Sequence, residues 1–175
     1  MCSSDLEELK LTVNRDKTRV TNVYEGVEFL GFIIYEKCVL VNPKRVKRFK
    51  DKIRDKTKRN TGRKMEDIIK GLNPLLRGWI NYYRIANIKS LTKELMGWIR
   101  RRLRMIKIRQ WKTYKAMHKE MRRQGIKGSG EKMSMRKWKN SNVHIIHILL
   151  PNKLFEDLGL IDLTKYEVGL LSNYY

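Results

Sequence analysis

The chain has 175 residues, with 40 Lys+Arg against 18 Asp+Glu, a formal net charge of +22 and 41% hydrophobic residues. That apolar content supports a modest core and excludes a wholly disordered chain, and two cysteines, Cys2 and Cys38, exclude a disulfide framework. The longest apolar run, 143–150, is interrupted by His144 and His147 and falls far short of the roughly 18 residues of a membrane span. No membrane partner is therefore expected. Asp5, Glu7 and Glu8 near the start speak against a signal peptide, and a reducing, cytoplasmic setting is the default expectation.

Residues 6–41 read as mixed and mostly β. Leu6, Leu9 and Leu11 suggest the end of a helix, followed by a turn at Asn14–Lys17. The run VEFLGFIIY (27–35) is rich in β-branched and aromatic side chains and predicts one strand, with Gly31 marking a bulge or a close backbone approach. Glu36 and Lys37 predict a turn into a short return strand at 38–41. Asn42-Pro43 then predicts a helix start, with Asn as N-cap and Pro at the first helical position. Val46, Phe49 and Ile53 recur at helical spacing among lysines and arginines, and Asn60-Thr61-Gly62 is expected to end this helix.

A second helix is expected from about Lys64, interrupted at Asn73-Pro74 and restarted through LLRGWINYYRIAN. Ser90 is expected to cap the longest helix, over 91–124, which Gly125 ends. Gly128-Ser129-Gly130 reads as a loop and 132–139 as a basic segment. A short apolar helix then runs to Leu149, Pro151-Asn152 breaks it, and one more helix at 153–158 stops at Gly159.

Charge is distributed unevenly along this plan. Residues 44–140 hold nearly all of the lysines and arginines and few carboxylates, whereas both flanks are slightly acidic. Such a segment repels itself unless an anion neutralises it, and nucleic acid is the partner that fits, because Lys/Arg–phosphate pairing releases counterions. A solvated, solubility-enhancing surface and an anionic membrane surface are the weaker alternatives. Projected at about 100° per residue, the longest helix has an apolar stripe of Met96, Ile99, Leu103, Ile106, Tyr114, Met117 and Met121. The opposite front collects Arg100, Arg101, Arg104, Lys107, Lys112, Lys115, Lys119 and Arg122. Ile108 and Trp111 fall within that front, and Trp111 is a candidate for stacking on an unpaired base or packing on a neighbour. Trp98 reads more readily as packing.

Catalytic patterns are not found. No Asp-Asp pair occurs, His144 and His147 lack further metal-ligand neighbours, and no glycine-rich phosphate loop is present. No catalytic residue, metal or cofactor is expected.

Two stretches carry a resemblance. LKLTVNRDKTRV (9–20) followed by VEFLGFIIY (27–35) resembles the end of the palm of group II intron-encoded reverse transcriptases. LNPLLRGWINYYRIAN (72–87) followed by WIRRRLRMIKIRQWK (98–112) resembles their maturase-specific thumb, domain X, and 137–163 resembles the C-terminal end of the same proteins. The resemblance implies a mainly α chain, α+β overall. A short β palm remnant with a primer-grip-like strand (1–41) would precede a helical thumb bundle (42–140) and a C-terminal helical extension (141–175). Fingers, most of the palm and its Tyr-X-Asp-Asp strand would belong upstream of residue 6, with no DNA-binding or endonuclease module following. It also implies that Phe29, Leu30, Gly31 and Phe32 match the primer grip, with the two phenylalanines mostly structural. Lys17 matches a palm lysine near phosphates, and Arg77, Arg84, Arg100, Arg101, Arg102 and Arg104 match the basic RNA-holding surface. Trp79, Tyr82 and Tyr83 belong mainly to the thumb's core.

The leading expectation is an RNA-binding maturase module that holds structured group II intron RNA, or a template–primer duplex, in a bacterial-type cytoplasm. A truncated or split polymerase fragment, active only with the missing N-terminal reverse transcriptase portion, is the second. An unrelated basic RNA-binding protein is the third.

Overall fold

The computed structural model describes residues 21–123, 125 and 144–170. The helix end at Leu6–Leu11, the Asn14–Lys17 turn, Lys17 itself, the Gly128–Gly130 loop and the 132–139 segment lie outside these residues.

Three short strands, β1 (Val27–Phe29), β2 (Phe32–Ile34) and β3 (Val39–Val41), form an antiparallel sheet in chain order. The strand expected over 27–35 is thus a hairpin. Phe29 pairs with Phe32, leaving Leu30 and Gly31 as a two-residue turn with φ of 49° and 88°. Positive φ at both central residues belongs to the type I′ turn, whose twist matches that of the flanking strands. A leucine in that conformation is disfavoured, so propensity alone reads straight through it. A Cβ on Gly31 would also lie 3.2–3.3 Å from the Arg45 side chain and the Tyr83 hydroxyl. The return strand is found as expected. Its outer edge is capped by Asn87, whose Oδ1 accepts from Val39 N–H (3.1 Å) and whose N–H donates to Val39 O (2.8 Å).

Helix α1 (Pro43–Lys56) begins as the sequence indicates, with Asn42 Oδ1 accepting from Lys44 N–H and proline at the first position. It ends earlier than expected, at Thr57, whose N–H and hydroxyl both bond to the carbonyl of Ile53. Helix α2 (Met65–Tyr83) runs without a break through Pro74, contrary to the expected interruption. Met65, Ile68, Ile69, Leu72, Leu76, Trp79 and Ile80 stay in phase across the proline and are all buried. A proline in a helix interior costs about 3 kcal/mol, whereas each buried side chain contributes roughly 1.5–3 kcal/mol, so burial wins. Asn73 is not a helix break. Its amide donates to Gly159 O (2.8 Å) and its Oδ1 accepts from Ile161 N–H (3.1 Å), tying the C-terminal segment to α2.

Helix α3 (Lys89–Trp111) starts after Ile88, and Ser90 does not cap it. Instead of continuing to 124 it stops at Lys112, where Trp111 O accepts from Thr113 N–H around a Lys112 φ of 58°. This is a γ-turn, a strained local geometry. A separate helix, α4 (Tyr114–Arg123), follows. Then come α5 (His144–Leu149), α6 (Asn152–Asp157) and a 3₁₀ turn at Leu163–Lys165, close to the expected positions for the two helices.

One hydrophobic core runs from Phe32 in the sheet to Leu163 at the C-terminal end. Phe49, Ile53, Leu76, Ile80, Ile99, Leu103 and Ile106 are buried in it, as the helical spacing predicts. Aromatic rings join sheet to helices. Phe49 stacks on Trp79 at 4.8 Å, Trp79 meets Tyr83 at 5.1 Å, and Phe32 lies against both Tyr82 (5.5 Å) and Tyr83 (5.3 Å).

Candidate nucleic-acid interface

Helix α3 supplies most of the candidate arginines, and it is buried on two sides rather than one. Leu95, Ile99, Leu103 and Ile106 face the main core. Arg100 and Arg104, an i, i+4 pair on another side, are covered by the C-terminal segment, and Ile108, four residues further on, is buried too. Arg100 donates from Nη2 to Asp162 Oδ2 (2.7 Å) and Glu156 Oε1 (3.4 Å), and its side chain is only 12% exposed. Arg104 is 5% exposed, donating from Nε to Leu150 O (2.9 Å) and from Nη2 to Asn152 Oδ1 (2.7 Å), with its guanidinium 5.6 Å from the centre of the Phe155 ring. Burial holds the Arg104 pKa below the ordinary arginine range, and nearby Arg100 adds to this. The outward basic front projected on the helical wheel is therefore corrected at Arg100, Arg104 and Ile108. A wheel with one apolar stripe assumes one buried side, and here a downstream segment covers a second.

Arg102 also turns inward. Its Nε donates to Thr57 Oγ1 (2.6 Å) and its Nη2 to Thr57 O (2.9 Å), anchoring the end of α1 to α3. Its guanidinium lies 5.3 Å from the Trp98 ring centre and Arg54 lies 5.5 Å from it. Trp98 thus packs beneath two cations, each an attractive contact with the ring's negative face. Burial lowers the Arg102 pKa, and the like charges of Arg54 and Arg59 lower it further.

Of the cations of the basic front, Arg101, Lys112, Lys115, Lys119 and Arg122 face solvent, as do Arg109 and, on and just after α2, Arg77 and Arg84. Lys107 is half-buried. Trp111 is also half-buried and packs against the core. Sequence reasoning passed over Arg59 and Arg109. With Asn60, Thr61, Gly62, Gln110 and Lys112 they line an open cleft of 590 Å³ between the 57–63 loop and the end of α3. A narrower recess of 160 Å³, lined by Thr57, Arg59, Trp98, Arg101, Arg102 and Met105, lies beside it. No signal in the primary sequence marks Thr57, because its role depends on a partner 45 residues away.

The primer-grip-like residues sit at the hairpin tip. Phe29 and Leu30 are exposed, Gly31 is half-buried, and Phe32 is core. Tyr82 donates its hydroxyl to Leu30 O at 2.9 Å, fixing the turn on α2. Beside it lies an open cleft of 630 Å³ lined by Glu28, Phe29, Leu30, Gly31, Asn42, Lys44, Arg45 and Arg48. Burial raises the Tyr83 pKa, with Arg45 opposing and Tyr82 reinforcing that shift.

Asp162 anchors the C-terminal segment. Burial alone would raise its pKa, but hydrogen bonds from the Thr164 hydroxyl and N–H, with Arg100, outweigh burial and lower it. A carboxylate whose folded pKa is depressed contributes stability above its unfolded pKa of roughly 4 and loses it as pH falls through the folded value. Acidification below about pH 4 should therefore loosen 150–166. In Asp162→Asn the same segment should already be looser at neutral pH and change less on acidification. Segment-resolved proteolysis or hydrogen exchange across that pH range checks this.

Among the described residues no group of three or more His, Cys, Asp or Glu side chains could hold a metal, and no helix is long and apolar enough to cross a membrane.

The architecture is thus a helical module with its core built on α2 and α3, a small antiparallel sheet at one end and unneutralised cations on its outer faces. Residues 46–125 match the model of the group II intron, maturase-specific domain. The matched residues span α1 to α4, so the sheet precedes the domain and the 150–170 segment packs onto it from beyond. No match is found among curated proteins.

Proposed function

We propose that the chain is an RNA-binding maturase module that holds structured group II intron RNA and supports its splicing, without polymerase chemistry of its own. The observation that carries this reading is the exposed cation set of the matched domain. Among the described residues, Arg59, Arg77, Arg84, Arg101, Arg109 and Lys112 enter no ion pair with a protein carboxylate. Uncompensated charge of one sign is what phosphate recognition uses. The ribozyme performs transesterification itself, so the protein's task is to stabilise the folded RNA, in a reducing cytoplasm.

The hairpin tip supports a second use. Its cleft, with Lys44, Arg45 and Arg48 at the start of α1, would meet a template–primer backbone if an N-terminal reverse transcriptase portion docked on the sheet.

Filter binding of the full chain to its flanking intron RNA, with unrelated structured RNA as competitor, tests the main reading. Binding should weaken linearly on a log–log salt plot, with a slope of about 0.7–0.9 per phosphate contacted. Affinity that is indifferent to salt, or the absence of binding, would overturn it. Primer extension by the pure chain with Mg²⁺ should give no incorporation.

A further inference from the structure

The two recesses beside α3 share Arg59 and together form one furrow, running from Trp98 and Arg101 to Arg109 and Lys112. We infer that this furrow is a phosphate-binding subsite for an unpaired stretch of RNA backbone. The inference rests on the RNA-binding reading and deepens it.

Three observations carry it. First, none of the furrow's lining residues is a carboxylate, and Arg59, Arg101, Arg109 and Lys112 are exposed without an ion-pair partner among the described residues. An anion entering here therefore meets several cations and displaces no internal acid. Second, the furrow wall is held in place. Arg102 grips Thr57 through two hydrogen bonds of 2.6 and 2.9 Å, and Gln110 donates to Arg63 O at 2.8 Å, so both ends of the 57–63 loop are tied to α3. Arg59 is presented from between these two ties. Such a pre-ordered wall lowers the cost of binding. Third, the recess at Trp98 (160 Å³) and the adjoining cleft (590 Å³) meet at Arg59 and are both concave and open to solvent, so an unpaired backbone can enter them.

Base stacking is not the recognition mode at the Trp98 end. The ring already lies against the guanidinium groups of Arg54 and Arg102. Burial is the main cause of the lowered Arg102 pKa, and the like charges of Arg54 and Arg59 add to it a positive potential that a phosphate would relieve. Recognition is thus of backbone charge and path, and the furrow discriminates unpaired from paired RNA more than one base from another.

The test uses the full chain, an unstructured oligoribonucleotide, and a blunt RNA duplex of equal length. The variant is Arg59→Gln/Arg109→Gln/Lys112→Gln, compared with Arg77→Gln/Arg84→Gln on α2. The triple variant replaces only exposed side chains, and circular dichroism establishes that its helical content is unchanged. Wild type should favour the single strand. The triple variant should lower the single-strand log–log salt slope by about 2, from about 0.7 for each of three contacts. It should change duplex binding less, whereas the α2 variant should not remove the single-strand preference. If the triple variant keeps wild-type single-strand affinity and slope, or wild type binds duplex and single strand equally, the furrow assignment falls while RNA binding stands. If wild type binds neither RNA, the RNA-binding reading falls with it.

Discussion

Arg104→Ala should lower the melting temperature by roughly 5–10 °C, while Arg101→Ala, three positions earlier on the same helix, should leave it nearly unchanged. Arg104 is buried against Phe155 and bonds to Leu150 O and Asn152 Oδ1. Its removal leaves those acceptors without their donor, at about 1–3 kcal/mol for a buried unsatisfied group, and adds the packing lost with its aliphatic stem. For a chain of this size each kcal/mol corresponds to about 2–4 °C. Arg101 is exposed and has no such partner, so its loss should stay within about 0.5 kcal/mol. RNA binding should respond in the opposite sense. Arg101→Ala should reduce affinity and salt slope in a folded protein, and Arg104→Ala should reduce affinity only as far as the C-terminal segment detaches. Thermal melts paired with salt-dependent filter binding separate the two. Equal melting temperatures for the two variants would contradict the placement of Arg104.

That contrast shows where the primary sequence is legible. Asn42-Pro43 announces α1 because cap chemistry is local, with the donor two residues from the acceptor. The apolar spacing of Ile99, Leu103 and Ile106 announces the core face of α3 for the same reason. The arginine row does not declare itself, because the partners of Arg100 and Arg104 lie 46–62 residues downstream. Nothing in RRRLR distinguishes a guanidinium that meets phosphate from one that meets a carbonyl. Leu30 misleads in another way. A β-favouring residue occupies a left-handed turn position, held there by the strand pairing on both sides and by Tyr82. Pro74 misleads because its local cost is smaller than the burial accumulated along α2. The maturase resemblance is legible in RGWINYY, whose buried Trp79 and Ile80 and half-buried Tyr83 are core, but the furrow is not. Its cations come from the 57–63 loop and from α3, and the long-range Arg102–Thr57 and Gln110–Arg63 contacts bring the two together.

Trp79→Ala should be the most destabilising single aromatic truncation, at about 3–5 kcal/mol, and should uncouple the sheet from the helices. Trp79 stacks on Phe49 of α1, touches Tyr83 one turn along α2, and through Tyr83 reaches Phe32 of β2. Removing the indole opens a cavity where sheet, α1 and α2 meet, and a cavity there withdraws contacts from all three. Hydrogen exchange should rise first in β1–β3 and at the start of α1, ahead of α3, whose Ile99 and Leu103 are fully buried in the main core. Trp79→Phe should cost far less. It keeps an aromatic ring against Phe49, and it deletes a buried indole N–H that has no hydrogen-bond partner among the described residues. Losing an unsatisfied donor offsets part of the lost volume. Urea unfolding of the two variants reads the difference. A Phe variant as unstable as the Ala variant would mean that an aromatic ring against Phe49 does not hold this junction, and the assignment of Trp79 as an aromatic hinge between sheet and helices would be wrong.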